Sequence, residues 1–203
     1  TTKPGALDNF KASAEYKDGQ YSDVASDAWY AENVAAAFEY GLMIGNDKGA
    51  FGVGESLKIC EALAIADRLH NLYYGGDAEF DQTYGDNWYV VYEDYAVEYG
   101  IIKEGQYDPE AEATRAQFAA ILSAALPDEA LPAINDVKAI PDVPETHPDY
   151  AAIIRLYNAG ILTGVDKYGT FEPDTTIGRE QIAAMVTRVA NPELRKTFTL
   201  VEK

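Results

Sequence analysis

The stretch GLMIGNDKGAF at residues 41–51 returns as GILTGVDKYGTF at residues 160–171. The two copies are in register, because Asp23 precedes the first by the same 18 residues that separate Asp142 from the second. A looser copy lies between them and contains Gly-Ile-Ile at 100–102. A stretch that recurs in order indicates a fold assembled from copies of one supersecondary unit.

Each copy predicts two helices. The first follows Trp29, Trp88 or Pro148 and ends at Gly41, Gly100 or Gly160. The second begins at Ile59, Arg115 or Arg179. Apolar residues recur along it at i, i+3, i+4 and i+7, as Ala62, Ile65, Ala66 and Leu69, then Phe118, Ile121, Leu122 and Ala125, then Ile182, Met185, Val186 and Val189. Thr114 and Gln117 form a capping box at one of these starts.

One helix pair cannot bury its apolar face alone. Three pairs can do so by packing around a shared axis or by stacking in a row, and either arrangement is an all-α fold of three helix-loop-helix repeats. We place the repeats at residues 20–77, 78–137 and 138–191. A lead or linker, 1–19, precedes them, and a C-terminal tail, 192–203, follows.

The composition excludes several classes of function. The 203 residues hold 16 Lys and Arg against 34 Asp and Glu, a net charge of −18. Nucleic acid binding needs a basic surface, so it is not expected, and an anionic membrane surface is disfavoured for the same reason. No apolar run approaches the roughly 18 to 20 residues of a membrane span, so no membrane insertion is expected. The single cysteine, Cys60, excludes an internal disulfide and a cysteine-based zinc cluster.

These repeats resemble the S-layer homology family. A repeat of that family has an aromatic-x-Asp-Val start, a Trp, a helix ending near Gly-Ile-Ile-x-Gly, a Gly-x-Phe-x-Pro turn, and Thr-Arg-Ala-Glu opening a second helix. The matching segments are 21–24, Trp29, 41–45 and 49–51 in the first copy, Trp88, 100–102, 107–109 and 114–117 in the second, and 140–143, 160–164, 169–173 and 178–181 in the third. The resemblance spans residues 21 to about 190, and three ordered copies make it specific.

The resemblance implies a pseudo-threefold helical bundle and a non-catalytic anchoring module without a cofactor. Such a module binds an anionic, for instance pyruvylated, secondary cell-wall polysaccharide in grooves between repeats, and holds a secreted surface or S-layer protein on a bacterial envelope. Because all three repeats lie in one chain, we expect a monomer. The alternative is a structural or protein-interaction module on the same bundle that has lost glycan binding.

The resemblance points to Arg115 and Arg179 as ligand contacts, since the arginine of the Thr-Arg-Ala-Glu motif contacts ligand. At a helix N-terminus, a guanidinium fork and the helix dipole both favour an anion. The competing explanation is an ordinary first-turn arginine paired with a nearby carboxylate. Ile59 replaces this arginine in the first repeat, and the neighbouring Lys58 is a poor substitute at a bidentate site. Because of Ile59, we infer that the first repeat has the degenerate pocket. In the third repeat, Pro148 replaces the Trp.

Trp29 and Trp88 have two interpretations. An indole can stack on a sugar ring, but a lone Trp at the start of a helix is more often a core anchor. We favour packing, with one edge lining a groove. Both residues stay in the candidate binding set.

Asp23 and Asp142 are expected to cap the loop before each first helix, with a secondary role as acceptors for sugar hydroxyls. Gly45 and Gly164 are expected to adopt positive φ and to bring backbone N–H groups to a ligand.

Catalysis and metal binding have little support in the sequence. The turns at 46–49 and 165–169 lack the alternating oxygens and terminal Glu of a calcium loop, so no metal site is predicted. Cys60, His70 and His147 are interpreted as structural. No phosphate loop, nucleophile triad or zinc motif occurs. A glycosidase based on an accidental pair among 34 carboxylates is the least favoured function.

Overall fold

The computed structural model describes residues 5–202. Within that range the regular elements are helices, joined by turns and loops. The α-helices are α1 (Ala31–Glu39), α2 (Ile59–Tyr73), α3 (Val90–Glu98), α4 (Arg115–Ala124), α5 (Tyr150–Asn158) and α6 (Arg179–Ala190). Single 3-10 turns lie at Leu7–Asn9, Asp128–Ala130 and Pro192–Leu194. None of the helices in the described range has the length and apolar content needed to cross a bilayer.

The predicted helix boundaries are confirmed. The second helix of each repeat begins at the expected residue, and the first ends just before a glycine with positive φ, at Gly41 (67°), Gly100 (71°) and Gly160 (76°). Thr114 and Gln117 form the expected capping box, in which the Thr114 Oγ1 accepts from the Gln117 N–H at 3.1 Å and the Gln117 side chain accepts from the Thr114 N–H at 2.9 Å. Helix ends were therefore encoded locally.

The three repeats close into a ring. The segment before each second helix pairs with the same segment of the next repeat, through bridges between Lys58 and Glu112, Thr114 and Thr176, and Ser56 and Gly178. Equivalent backbone bonds accompany them, from the N–H of Ile59 to the Ala111 oxygen (2.9 Å), of Arg115 to the Thr175 oxygen (2.8 Å) and of Arg179 to the Glu55 oxygen (3.0 Å). Because the third bond returns to the first repeat, the units surround one axis rather than stack in a row.

The helices follow the same cyclic order. Each first helix packs on the second helix of the preceding repeat, so that α3 lies on α2, α5 on α4, and α1 on α6. The apolar faces predicted for the second helices are buried and form the shared core. Each repeat therefore buries its core face only with the help of a neighbour, as the sequence required.

The two ends of the chain also pack on the bundle. Phe10 is buried, and the Ala6 N–H donates to the Tyr73 oxygen of α2 at 3.0 Å. At the other end, Arg195 donates to the Ala130 oxygen at 2.8 Å, and the Lys196 N–H donates to the Gly160 oxygen at 3.0 Å. Residues 5–19 and 192–202 thus contact the repeats, and the remainder of the predicted lead and tail lies outside the described residues.

A buried polar side chain occupies the ninth residue of each second helix. In α6 the Thr187 Oγ1 accepts from Asn33 of α1 at 3.1 Å, and in α4 the Ser123 Oγ accepts from Arg155 of α5 at 3.0 Å. The counterpart in α2 is Asp67, a fully buried carboxyl group with no hydrogen-bond partner among residues 5–202. Burial raises the pKa of Asp67 to about 8, which favours the neutral acid.

Candidate ligand grooves

Two grooves open between repeats, and the larger is here called groove A. Its floor is the α6 face from Gln181 to Arg188 and the loop at 162–165, all from the third repeat. Arg115 enters it from the second repeat and Trp29 from the first. Groove A is therefore formed by side chains from all three repeats, and its volume is about 350 Å³.

Groove B has the same plan, rotated by one repeat. Its floor is the α2 face from Glu61 to Arg68 and the loop at 42–44, all from the first repeat. Arg179 enters it from the third repeat and Trp88 from the second, and its volume is about 180 Å³. The two motif arginines therefore occupy equivalent positions in two separate grooves.

Arg115 is held rigidly at the inner end of groove A. Its Nε donates to the Phe171 oxygen at 2.7 Å, its Nη1 donates to the Gln181 side-chain oxygen at 2.9 Å, and its guanidinium carbon lies 5.0 Å from the centre of the Phe171 ring. Only 6% of Arg115 is exposed, and no carboxylate of residues 5–202 lies within 4 Å to form an ion pair with it. Burial lowers the pKa of Arg115 and outweighs the nearby charges of Glu172 and Asp142, which raise it.

Arg179 is held in the same way at the inner end of groove B. Its Nε donates to the Phe51 oxygen at 2.8 Å, and its guanidinium carbon lies 5.1 Å from the centre of the Phe51 ring. Its Nη2 donates to the Ile44 oxygen at 2.8 Å, and the side chain is half-buried. The competing expectation of an ordinary first-turn ion pair is wrong for both arginines, because their partners are carbonyl and amide oxygens across a repeat boundary.

The helix N-termini are already occupied. The N–H groups of Arg115 and Ala116 donate to the Thr175 and Pro173 oxygens at 2.8 and 3.0 Å, and the N–H of Gln117 donates to Thr114. These amides of α4 therefore already have acceptors within the protein. The guanidinium is the group that faces the groove.

Asp23 and Asp142 act one step away from the grooves. Asp23 accepts the N–H groups of residues 51–53 at 2.7 to 2.8 Å, and Asp142 accepts those of 171–172 at 2.7 to 2.8 Å. The expectation that they cap their own loop is wrong, because their partners lie 28 to 30 residues later. Burial by itself would raise the pKa of Asp23, but the N–H groups donated by the turn outweigh it and lower that pKa. The two aspartates fix the turns that present Phe51 and Phe171.

The two glycines differ from each other. Gly164 lines groove A with φ of 81°, as expected, and a Cβ there would lie 2.7 Å from the Gly169 backbone. Gly45 does not have positive φ, so that expectation is wrong. Position 45 requires glycine because a Cβ would clash with the Tyr21 ring and lie 2.6 Å from the Ala50 oxygen. The Gly45 N–H donates to the Tyr21 hydroxyl at 2.9 Å. Gly45 therefore supports the loop and lies outside the lining of groove B.

The tryptophans are exposed rather than buried. Trp29 is 62% exposed and Trp88 is 41% exposed, so the preference for core anchors is wrong. Each indole packs edge-on against the next residue, Tyr30 or Tyr89, at ring-centre distances of 5.4 and 5.7 Å. The tyrosine takes the inward position at the helix start, and the indole is left at the groove edge.

A model of the S-layer homology domain matches residues 20–58 and 139–183. The chain carries two S-layer homology regions. The looser middle repeat lies outside both matched ranges and is placed with the others by its equivalent helices. S-layer homology domains are non-catalytic structural and anchoring modules, in agreement with the sequence analysis.

Two curated relatives carry matching regions. The chain is 30% identical over 132 residues to the surface-layer 125 kDa protein of Lysinibacillus sphaericus, which is 61% of this chain and 11% of that protein. It is 29% identical over 106 residues to an S-layer protein of Bacillus thuringiensis subsp. finitimus, covering 50% of this chain and 13% of that protein. The chain thus corresponds to little more than a tenth of the length of either relative.

At the third junction of the ring, the positions equivalent to the two groove arginines and the tryptophan hold uncharged, non-aromatic residues. By the cyclic order, its arginine position is Ile59, its tryptophan position is Pro148, and the counterpart of Arg188 is Ala124. Ile59 is 1% exposed, and Lys58 forms an ion pair with Glu110 at 2.5 Å, outside grooves A and B. The first repeat was expected to have the degenerate pocket, but its own loop lines groove B with Arg179. The loss falls instead on the junction floored by the second repeat.

Sequence reasoning missed three contributors to the grooves. Arg68 and Arg188 line grooves B and A, and Gln181 binds Arg115 directly. The signal was present, because Arg68 and Arg188 each follow the start of a second helix by nine residues.

A further cavity lies away from the two grooves. It has a volume of about 660 Å³ and runs between the tail at 198–202 and the segment 136–141. Its lining contains no arginine, and its Lys138 is paired with Asp136 at 2.5 Å.

The turn at 46–49 is held by one of its own side chains, since Asn46 accepts the N–H groups of Lys48 and Ala50 at 2.9 and 3.1 Å.

Proposed function

We propose that this chain is a wall anchor that binds an anionic sugar of a secondary cell-wall polysaccharide in grooves A and B. It would hold a bacterial surface protein on the envelope, since the matching regions of its relatives belong to proteins named for the surface layer. The observation that carries the proposal is Arg115, a buried guanidinium without a carboxylate partner, which opens on a groove edged by an exposed indole.

The charge state of the groove favours an anion. A desolvated cation with neutral partners gains most from a ligand that brings the missing negative charge. A carboxylate-bearing sugar, such as a pyruvylated one, supplies that charge and also a ring face for Trp29. Arg115 is already fixed by two hydrogen bonds and the Phe171 ring, so little side-chain freedom is lost on binding.

The net charge of −18 does not oppose this mechanism at short range. At physiological salt the Debye length is about 8 Å, so distant carboxylates are screened while a contact in the groove is not. Binding would then rest on the local cations Arg115, Arg179, Arg68 and Arg188. We expect a two-site anchor, because the third junction has none of these side chains, and a monomer, because the ring closes within one chain.

The test is co-sedimentation with purified cell walls of the source organism, before and after chemical removal of the secondary polymer. We expect binding to intact walls and its loss on stripping. Arg179→Ala should weaken binding, whereas Lys11→Ala, which removes one exposed positive charge outside the linings of both grooves, should not. Equal binding to stripped walls would reject the polysaccharide as the ligand.

A second candidate is a protein-interaction module that no longer binds glycan. The third junction favours it, because Ile59 and Pro148 remove the arginine and the tryptophan from the same place. This alternative would be supported if the chain binds neither wall preparation but, when immobilised on a column, retains a purified surface-layer protein.

A further inference from the structure

Grooves A and B differ in charge at one floor position. It is Gln181 in groove A and Glu61 in groove B, each the third residue of its helix. Both side chains make the same structural bond, since Gln181 accepts the Gly178 N–H at 3.1 Å and Glu61 accepts the Lys58 N–H at 2.8 Å. The fold therefore tolerates either residue here, and the difference is one of charge.

The charges lining the two grooves are unequal. Groove A is lined by Arg115 and Arg188 and by no carboxylate, whereas groove B is lined by Arg179 and Arg68 together with Glu61. A carboxylate on the floor repels an anionic ligand and attracts the guanidinium that should receive it. Groove A thus has the stronger positive field in a chain that is otherwise strongly acidic.

The surroundings of Arg179 add to this difference. Glu180 follows it directly and accepts the Gly54 N–H at 2.9 Å, close to the groove B turn. The residue that follows Arg115 is Ala116, which is uncharged. Two carboxylates near each turn are common to both grooves, Asp142 and Glu172 for groove A and Asp23 and Glu55 for groove B.

We infer that groove A is the primary site for the anionic sugar, that groove B is a weaker site, and that Glu61 sets the difference. The inference rests on the proposed function and deepens it by ranking the two grooves. It also assigns Glu61 and Gln181 a role in selectivity that is separate from their part in starting a helix.

The chain supplies one reporter for each groove. Its only two tryptophans are Trp29, at groove A, and Trp88, at groove B. In Trp88→Phe, selectively excited tryptophan fluorescence reports groove A alone, and in Trp29→Phe it reports groove B alone. Each protein is titrated with soluble fragments of purified wall polymer and, as a control, with the same fragments after reduction of their carboxylates.

The deciding variants exchange the floor residue. Glu61→Gln in the Trp29→Phe background should tighten groove B, and Gln181→Glu in the Trp88→Phe background should weaken groove A, each by about 3- to 10-fold. Both should fold, because Gln and Glu already make this capping bond elsewhere in the chain. Without either exchange, the affinity of groove A should also exceed that of groove B and should fall more steeply with salt.

The outcomes separate this inference from the proposed function. If both tryptophans respond to the polymer but the exchanges change affinity less than twofold, or groove B binds more tightly than groove A, the ranking is wrong and the anchor stands. If neither tryptophan responds and the parent chain does not sediment with walls, the anchor fails and the ranking fails with it.

Discussion

Arg179 and Phe51 join the third repeat to the first. The Arg179 Nε donates to the Phe51 oxygen at 2.8 Å, and the guanidinium carbon lies 5.1 Å from the centre of the same residue's ring. Arg115 and Phe171 form the same pair one repeat earlier. A carbonyl oxygen at the edge of the guanidinium and a ring against its face fix both its position and its plane, so each groove begins with a pre-oriented cation.

This geometry predicts that lysine cannot replace arginine. In Arg179→Lys a single ammonium cannot donate to both the Phe51 and Ile44 oxygens and still face the groove. We expect wall binding to fall about tenfold, with a thermal midpoint within a few degrees of the parent value. Co-sedimentation and thermal unfolding measure the two effects, and full binding by the lysine variant would show that charge alone suffices.

The buried arginine should behave differently from the half-buried one. Arg115→Ala removes two cross-repeat hydrogen bonds from a side chain that is 6% exposed. We expect it to lower the free energy of unfolding by about 2 to 4 kcal/mol as well as to weaken wall binding. Denaturant unfolding provides the measurement, and an unchanged midpoint would mean that Arg115 contributes nothing to joining the repeats.

Asp23 predicts an acid-sensitive turn. The backbone N–H groups of residues 51–53 lower its pKa below the ordinary value of 3.8, so its stabilising effect is present above that value and is lost as pH falls through the lower, folded pKa. Asp23→Asn should cost about 1 to 3 kcal/mol at pH 7 and much less at pH 2 to 3. Thermal unfolding against pH measures this.

The same variant separates positioning from direct contact. Asn at position 23 should weaken the Trp88 response of groove B and leave the Trp29 response of groove A unchanged. An equal loss in both grooves would contradict a local role for Asp23.

Asp67 predicts the opposite pH dependence. Burial raises its pKa from 3.8 to about 8, so between these values the folded chain binds a proton that the unfolded chain releases. The free energy of unfolding should therefore fall as pH rises from about 4 to about 8. Asp67→Asn should raise the thermal midpoint by several degrees at pH 8 to 9, with the gain vanishing near pH 4. An equal midpoint shift at both pH values would contradict ionisation as the cause.

Gly164 predicts a crowded groove floor. Gly164→Ala places a methyl group 2.7 Å from the Gly169 backbone at a φ of 81°, and should cost about 2 kcal/mol or more. Gly49→Ala is the matched control, because φ there is 75° but a methyl group meets nothing within 4 Å. Its cost should stay near 1 kcal/mol. Equal losses of unfolding free energy in the two variants would show that conformation alone matters.

Local signals were sufficient to predict the helices. Gly41, Gly100 and Gly160 mark helix ends through a preference for positive φ that is a property of the residue itself, and the Thr114 capping box acts within four residues. The cyclic order was not predictable from one repeat, because it depends on which neighbour covers which apolar face.

The partners of the site residues were less predictable, because they lie in other repeats. Nothing near Arg115 in the sequence indicates Phe171, and nothing near Asp23 indicates the turn at 51–53. Likewise, Ile59 and Pro148 appear as two unrelated departures in two repeats until the ring brings their positions to one junction. The exposure of Trp29 was missed because a tyrosine beside it could equally well fill the inward position.

The packing of α1 on α6 puts the sequence repeat out of phase with the unit that actually buries a core. The packed pairs are α2 with α3, α4 with α5, and α6 with α1, so the last pair is split between the two ends of the chain. Deleting the first repeat would take the cover from α6 and leave α3 without its support. A circular permutant that joins the ends and begins before α2 would carry all three pairs as contiguous hairpins.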